Sequence, residues 1–312
     1  MIHAQAPYRV SFAGGGTDLP AYYTREPGFV LSCAIPYFVR VTIGPGVPYM
    51  QPLSSRFTNA CCQYLGITEP LDIQVRGDVP PGTGLGSSGA LCVATLKALH
   101  AWRGESPHPY DIAREACEVE INHMGLSSGR QDQYASAFGG INTLAFRRDG
   151  HVQVEPVVIS DVTRRTLESH TLLLATNGSR YSQDILGEQA RRTPAMLPTL
   201  REMADHAFFM RHFLEQGDVG GFCEHMNIAW DLKTQLHPDI AGPGIQAAHE
   251  RIMKAGAWAA KLCGAGKGGY MLVIAPPYTH IAIRAAMFNT SELGFAIERQ
   301  GVRLDVYEGA VA

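Results

Sequence analysis

The sequence predicts an α+β protein of two domains, and three observations carry that prediction. Short apolar and β-branched runs, broken by Gly and Pro, dominate the first half. A buried run at 170–176, HTLLLAT, then opens a stretch in which helical periodicity prevails. No internal repeat, low-complexity tract or long charge block interrupts either half. The boundary falls near 160–170, dividing 1–165 from 166–312.

Strands are expected at 6–13, 28–44 and 71–76, each apolar and closed by turn residues. A helix should run from about Ser88 to Trp102, its apolar positions including Leu91, Val93, Leu96 and Leu99. A second helix should lie at about 109–124, between Pro109 and Gly125. The run at 138–147, the turn Arg148-Asp149-Gly150 and the alternating stretch 151–159 read as a hairpin. Helices are then expected at about 182–192, 197–215, 218–227 and 243–255, and strands at 257–263 and 269–275. A helix over about 278–291 and a strand near 302–307 should close the chain.

The 312 residues, 46% hydrophobic and 18% charged, suffice for a substantial core. A formal net charge of −3 argues against a nucleic-acid binder that relies on bulk electrostatics, while leaving room for a local basic pocket. Seven cysteines, an odd number without a CxxC pair, read as reduced thiols and not as a disulfide framework. The twelve histidines show no HExxH or other tight ligand spacing, which disfavours structural zinc. The opening MIHAQAPYRVSF lacks the basic-then-apolar pattern of a signal peptide, and no apolar run reaches the length of a membrane span. A cytoplasmic location is the resulting expectation.

The segment PPGTGLGSSGA at 80–90 carries the chemistry, lying between a strand-like run and an apolar helix. Its glycines permit positive φ and close approach to a ligand. Successive amides and the following helix N-terminus make an anion seat, and Ser87 and Ser88 add hydroxyls suited to phosphate oxygen or magnesium. The substring GLGSSG also satisfies GxGxxG, the weak signal of a dinucleotide site. Gly84, however, comes eight residues after the strand end, and no acidic residue closes a following strand at the required distance. A serine-capped glycine turn is the bland alternative. No GxxxxGK[ST] occurs anywhere.

PxxxGLGSS at such a junction resembles the phosphate loop of the GHMP kinase superfamily. APYRVSFAGGGTDLPAYY (6–23) is similar to that family's first motif, and AAKLCGAGKGGYMLVIA (259–275) to its third. All three stand in order and frame nearly the whole chain. Four stretches, AGGGTDLP (13–20), GRQDQYASAFGGIN (129–142), NGSRYSQDIL (177–186) and WDLK (230–233), resemble the bacterial heptose 7-phosphate kinase group within it. The resemblance implies a ribosomal S5 domain 2-like N-terminal domain and a ferredoxin-like C-terminal domain. It also implies ATP and Mg2+ as cofactors, a small sugar phosphate as partner with neither nucleic acid nor membrane, and is compatible with a homodimer. The implied reaction phosphorylates the anomeric hydroxyl of a heptose 7-phosphate.

Carried over residue by residue, the resemblance makes Asp132 the carboxylate that orients or deprotonates the sugar hydroxyl, with Arg9 near the transferred phosphoryl. Pro81, Gly82, Gly84, Leu85, Gly86, Ser87 and Ser88 would hold the nucleotide, and Ser88 and Glu120 the magnesium. Gly15, Gly16, Thr17, Asp18 and Gly266 would meet the acceptor, and Arg180 its 7-phosphate, with Lys233 and Lys267 as weaker candidates. Blander readings stand beside these. Asp132 and Asp18 are also suitable helix caps, Arg9 a surface arginine, and Glu120 one of three acidic residues with Glu115 and Glu118 on a solvated helix face. Lys267 replaces a glycine of the usual GAGGGG, so it either adds a phosphate contact or marks a position without positive φ. A kinase for fucose or galactose and a non-catalytic ligand-binding protein on the same fold are the alternative functions, and a nicotinamide oxidoreductase is the more remote one.

Overall fold

The computed structural model describes residues 1–46, 56–176, 183–288 and 290–305. In chain order the elements are β1 (Ile2–Ala13), α1 (Pro20–Tyr23), β2 (Gly28–Pro45), α2 (Arg56–Tyr64), β3 (Leu71–Gly77), α3 (Ser87–Trp102) and α4 (Pro109–Cys117). There follow α5 (Gln131–Phe138), β4 (Ile141–Phe146), β5 (Val152–Pro156), α6 (Asp161–His170), β6 (Thr171–Ala175) and α7 (Gln183–Arg192). The chain continues with α8 (Leu197–Gln216), α9 (Val219–Gln235), α10 (Pro243–Lys254), β7 (Ala259–Leu262), β8 (Tyr270–Ile274), α11 (His280–Ala286), β9 (Glu292–Gly294) and β10 (Arg303–Leu304).

Two antiparallel sheets organise these elements. The first has the order β10-β1-β2-β4-β5, with β3 also paired to β2. β2 is long enough to serve two neighbours on one side: Gly28–Cys33 pairs with β4 and Val39–Pro45 with β3. The second sheet has the order β7-β8-β6-β9. The chain's end returns to the first sheet, where Ala4 faces Leu304.

β1 is buried on both faces from Ala4 to Ala13. Helices α3 and α5 pack on it, and so do α8 and α9, with Phe12 meeting Phe222 of α9 edge to face at 5.2 Å. α3 is apolar around most of its circumference, the mark of a helix sunk in a core. In the second sheet the two-residue period splits the strands between two cores. Leu172, Leu174, Met271 and Val273 join one, while Leu173, Leu272 and Ile274 face the core of the first sheet. Ala259 of β7 and Cys263 just after it join that inner core, so Lys261 between them points the same way.

Three departures from the sequence expectations have local causes. The helix expected over 109–124 ends its α-geometry at Cys117 and continues as a π-turn over Glu118–His123, a widening that places Val119 and Glu120 inside together. The helix expected to end near 227 runs to Gln235, because Gly220 and Gly221 near its start are offset by a buried face through Phe222, Met226, Ala229 and Trp230. The expected helix at 278–291 is a 3-10 turn followed by only the short α11. Helices α2 and α6 lie in stretches for which the sequence gives no helix, while α1 and α5 start beside Asp18 and Asp132, which the sequence offers as helix caps. All seven cysteines are free thiols, six of them buried. Among the described residues no helix is long and apolar enough to cross a membrane.

Candidate active site

The ends of β1 and α9, the loop before α3, the start of α5 and the loop after β7 meet around a cavity of about 390 Å³. The loop before α3 carries its glycines in the left-handed region, with φ of 79° at Gly82, 80° at Gly84 and 79° at Gly86. Gly84 has a second reason to lack a side chain. A Cβ there would stand 2.3 Å from the Cys263 carbonyl oxygen, and one on Gly269 would stand 2.3 Å from that of Thr83. The two glycine-rich loops therefore touch backbone to backbone, and the third sequence motif shapes the cradle by packing against it.

Pro81, Gly82, Gly84, Gly86, Ser87 and Ser88 line the cavity. Leu85 does not. Its side chain is fully buried in the core, and its carbonyl accepts a 3.0 Å bond from the Arg9 amide. Gly89 serves packing: a Cβ there would lie 2.7 Å from Asp132 Cβ, so its absence lets α3 and α5 close on each other.

Arg9, on the inner face of β1, spans the two halves of the site. Its Nε donates to Asp132 Oδ1 at 2.7 Å, and its Nη1 donates to the Gly84 carbonyl at 2.7 Å. Asp132 sits in the first turn of α5. Burial pushes its carboxyl above the usual range, and the Arg9 guanidinium opposes that. Glu120 approaches from the π-turn, only 1% exposed. Burial, reinforced by the nearby Asp132 charge, lifts it to about 7, against the Ser88 and Gln133 hydrogen bonds that favour its ionised form. Ser88 and Glu120 are thus an adjacent pair of oxygen donors. Among the described residues no cluster of three or more His, Cys, Asp or Glu side chains stands ready for a metal ion.

The loop after β1 is held by its own side chains. Asp18 Oδ1 accepts from the Gly16 amide at 2.8 Å, and Oδ2 accepts from Gln131 Nε2 at 3.0 Å. Gly129 passes so close that a Cβ there would fall 1.9 Å from Asp18 Oδ2. Asp18, Gly15 and Gly16 line the cavity, as does Gly266 on the opposite loop. Thr17 is fully buried and does not. Its hydroxyl donates to the Gly14 carbonyl at 2.7 Å, fixing the loop. Gly14 likewise serves packing against β2, since a Cβ would stand 2.0 Å from the Phe29 carbonyl oxygen.

Two buried lysines complete the lining. Lys233 Nζ donates to the Gly15 carbonyl at 2.8 Å, and Lys261 Nζ donates to the Ser11 carbonyl. Burial lowers each to about 8. The sequence reading ranked Lys233 low and passed over Lys261, Ser11 and Gln131. A lysine inside an otherwise apolar strand, two residues before a glycine-rich loop, was the available signal for Lys261. Lys267 keeps the left-handed backbone of the glycine it replaces, with φ of 64°, so the reading that its position needs no positive φ is wrong. Its ammonium pairs with Asp239 at 2.9 Å. Arg180, with Ser179 and Ser182, lies outside the described residues.

Both halves of the chain match models of one family, the GHMP kinases N terminal domain over residues 53–140 and the GHMP kinases C terminal domain over residues 210–291. The chain is 29% identical over 309 residues to the D-glycero-alpha-D-manno-heptose 7-phosphate kinase of Campylobacter jejuni, spanning 88% of this chain and 90% of that one. A crystal structure of a D-glycero-D-manno-heptose 1-phosphate kinase from Bacteroides thetaiotaomicron superposes with a TM-score of 0.79 at 24% identity, covering 99% of this chain and 100% of that one. The phosphomevalonate kinase of Streptococcus pneumoniae, in complex with phosphomevalonate and AMPPNP, gives 0.75 at 18% identity, covering 98% and 100%. These two structures show the shared fold. With both family domains matched in order and the two glycine-rich loops packed around a buried Arg–Asp pair, the chain belongs to the GHMP kinase family and is a phosphotransferase.

Proposed function

We propose that this kinase transfers the γ-phosphoryl group of ATP to the anomeric hydroxyl of D-glycero-D-manno-heptose 7-phosphate, giving the 1,7-bisphosphate for nucleotide-activated heptose and surface polysaccharide. The observation that carries the reading is the placement of Arg9 between Asp132 and the Gly84 carbonyl. It joins an acceptor-side carboxylate to the nucleotide cradle through one rigid, charged fork. The relative named for heptose 7-phosphate supplies the acceptor.

Phosphoryl transfer asks a protein mainly for positioning and charge neutralisation. Gly82, Gly84, Gly86 and the first residues of α3, Ser87 and Ser88, line the cavity, where the loop amides and the helix N-terminus bind and orient the phosphate chain. Asp132 orients the acceptor hydroxyl and takes its proton, a role helped by the burial that raises its basicity. Arg9 keeps that carboxylate in place and offers positive charge to the group in transit. Asp18, held by Gly16 and Gln131, presents its remaining lone pairs to sugar hydroxyls.

Magnesium fits the residues present. Glu120 is a desolvated carboxylate beside the Ser88 hydroxyl, and such a pair of hard oxygen donors, completed by substrate phosphates and water, suits that ion. When bound, the cation neutralises phosphate charge. The division into a nucleotide-binding half at 1–165 and a second half at 166–312 belongs to the same proposal.

The test is a coupled ADP-release assay across heptose 7-phosphate, mannose, fucose and galactose. Turnover confined to the phosphorylated heptose is the expected outcome. Turnover of a free sugar alone would overturn the acceptor assignment.

A further inference from the structure

The wall of the cavity built by Ser11, Gln131, Lys233 and Lys261 carries buried polar atoms that have no partner among the described residues. Three polar atoms converge on the cavity-facing side of Gly15, where a Cβ would stand 3.4 Å from Gln131 Nε2, 3.7 Å from Ser11 Oγ and 3.8 Å from Lys233 Nζ. Among the described residues, the buried Ser11 Oγ and the acceptor Gln131 Oε1 have no hydrogen-bond partner. Lys261 reaches the same strand from β7 through the Ser11 carbonyl. Lys233 and Lys261 are 9% and 8% exposed, and each has three protons to give. The bonds described for them are one carbonyl each, Gly15 and Ser11, and among the described residues neither stands in an ion pair with a carboxylate.

Burying an ammonium without a counter-charge is costly, and here it is done twice on one wall. Asp18 is the acidic group that acts on Lys233, and its oxygens already accept from Gly16 and Gln131. Arg9 is neutralised by Asp132. The wall therefore keeps a positive excess, aimed at a space ringed by donors. Resting on the acceptor reading above, we infer that Ser11, Lys233 and Lys261 form the seat of the acceptor's own phosphate monoester. The family resemblance names Arg180 for that contact, a residue outside the described ones. The acceptor side is favoured over the transferred phosphoryl because Lys233 bonds the Gly15 carbonyl, in the loop that also carries Asp18.

The test compares wild type with Lys233→Met, Lys261→Met and Ser11→Ala. The probes are an aldoheptose 7-phosphate, an aldohexose 6-phosphate, the two free sugars and an ATP analogue, measured by calorimetry and by KM. Loss of one charged contact should weaken each sugar phosphate at least about 10-fold in the lysine variants. The free sugars and the nucleotide should bind as in wild type. Equal weakening of the ATP analogue would assign the wall to the transferred phosphoryl instead, and unchanged affinities throughout would also overturn the seat. Should the methionine variants fail to fold, inorganic phosphate tested on wild type decides. Competition against the acceptor and not against ATP supports the seat; competition against ATP alone refutes it. The two readings separate cleanly. Lysine-dependent hexose 6-phosphate binding without heptose 7-phosphate turnover keeps the seat and removes the heptose. Heptose 7-phosphate turnover with unaltered KM in both lysine variants does the reverse.

Discussion

Arg9 holds Asp132 from 123 residues away, its Nε 2.7 Å from Oδ1, with both side chains anchored on buried elements. The pair links a strand of the first sheet to the first turn of α5. Because Arg9 also grips the Gly84 carbonyl, the carboxylate cannot shift without disturbing the phosphate loop.

Asp132→Asn keeps the shape and removes the basicity. Turnover should fall by at least about 10²-fold, the scale of positioned acid–base catalysis, while calorimetry shows nucleotide affinity within a few-fold of wild type. Near-normal turnover would take Asp132 out of the chemistry.

Two glycines with similar backbones separate strain from collision. Gly66 has φ of 68° with nothing within 4 Å of a Cβ, whereas Gly84 has φ of 80° and the Cys263 carbonyl at 2.3 Å. Gly66→Ala should cost about 1 kcal/mol, the left-handed penalty alone, and leave nucleotide binding intact. Gly84→Ala should cost more and weaken nucleotide binding as the two loops part. Denaturant melts and ATP-analogue titration read both, and equal effects from the two variants would sink the packing argument.

Glu120 makes stability depend on pH in a definite direction. Its carboxyl rises from the ordinary 4.5 to about 7 on folding, chiefly through burial. Between those values the unfolded chain ionises first, so the stabilising contribution present below pH 4.5 is lost as pH climbs through 7. Without metal or nucleotide, Glu120→Gln should be the more stable protein at pH 8, by up to about 3 kcal/mol. The advantage should disappear near pH 4.5. A thermal melt series in chelator that shows no such convergence refutes the assignment.

Lys233 and Lys261, lowered by burial from 10.5 to about 8, work in the opposite sense. The unfolded lysines bind more protons between about 8 and 10.5, so the ligand-free fold gains stability over that window. Asp18 and Arg9 act on Lys233; Cys263, Lys233 and Arg9 act on Lys261. A phosphate monoester is already dianionic above a second pKa of about 6, so its affinity should follow the lysines. Acceptor KM should be flat from pH 6.5 to 7.5 and rise about tenfold between pH 8 and 9, with the KM for ATP steady. Parallel changes in both would contradict the seat.

Local pattern sufficed for much of this molecule. β1, β2, β3 and α3 were legible because alternation, apolar runs and Gly or Pro breaks are properties of neighbouring residues. The glycine-rich loop at 80–90 was legible for the same reason, since a glycine- and serine-rich turn before an apolar helix is visible within eleven residues. Helix α1, of four residues, is too short to show a period, and α6 is a polar helix that buries only Thr163 and Leu167 of its ten residues.

What the sequence by itself determined was the glycine-rich loop before α3, the order of the motifs and the family they belong to. Tertiary structure alone decided which charges meet. The π-turn turns Glu120 inward. The crossing of Gly84 with Cys263 explains the third motif as a packing partner. The two-residue period of β7, set against β1, delivers Lys261 to Ser11 across 250 residues. Such contacts depend on where a strand face points once two sheets share a core, and no local window encodes that.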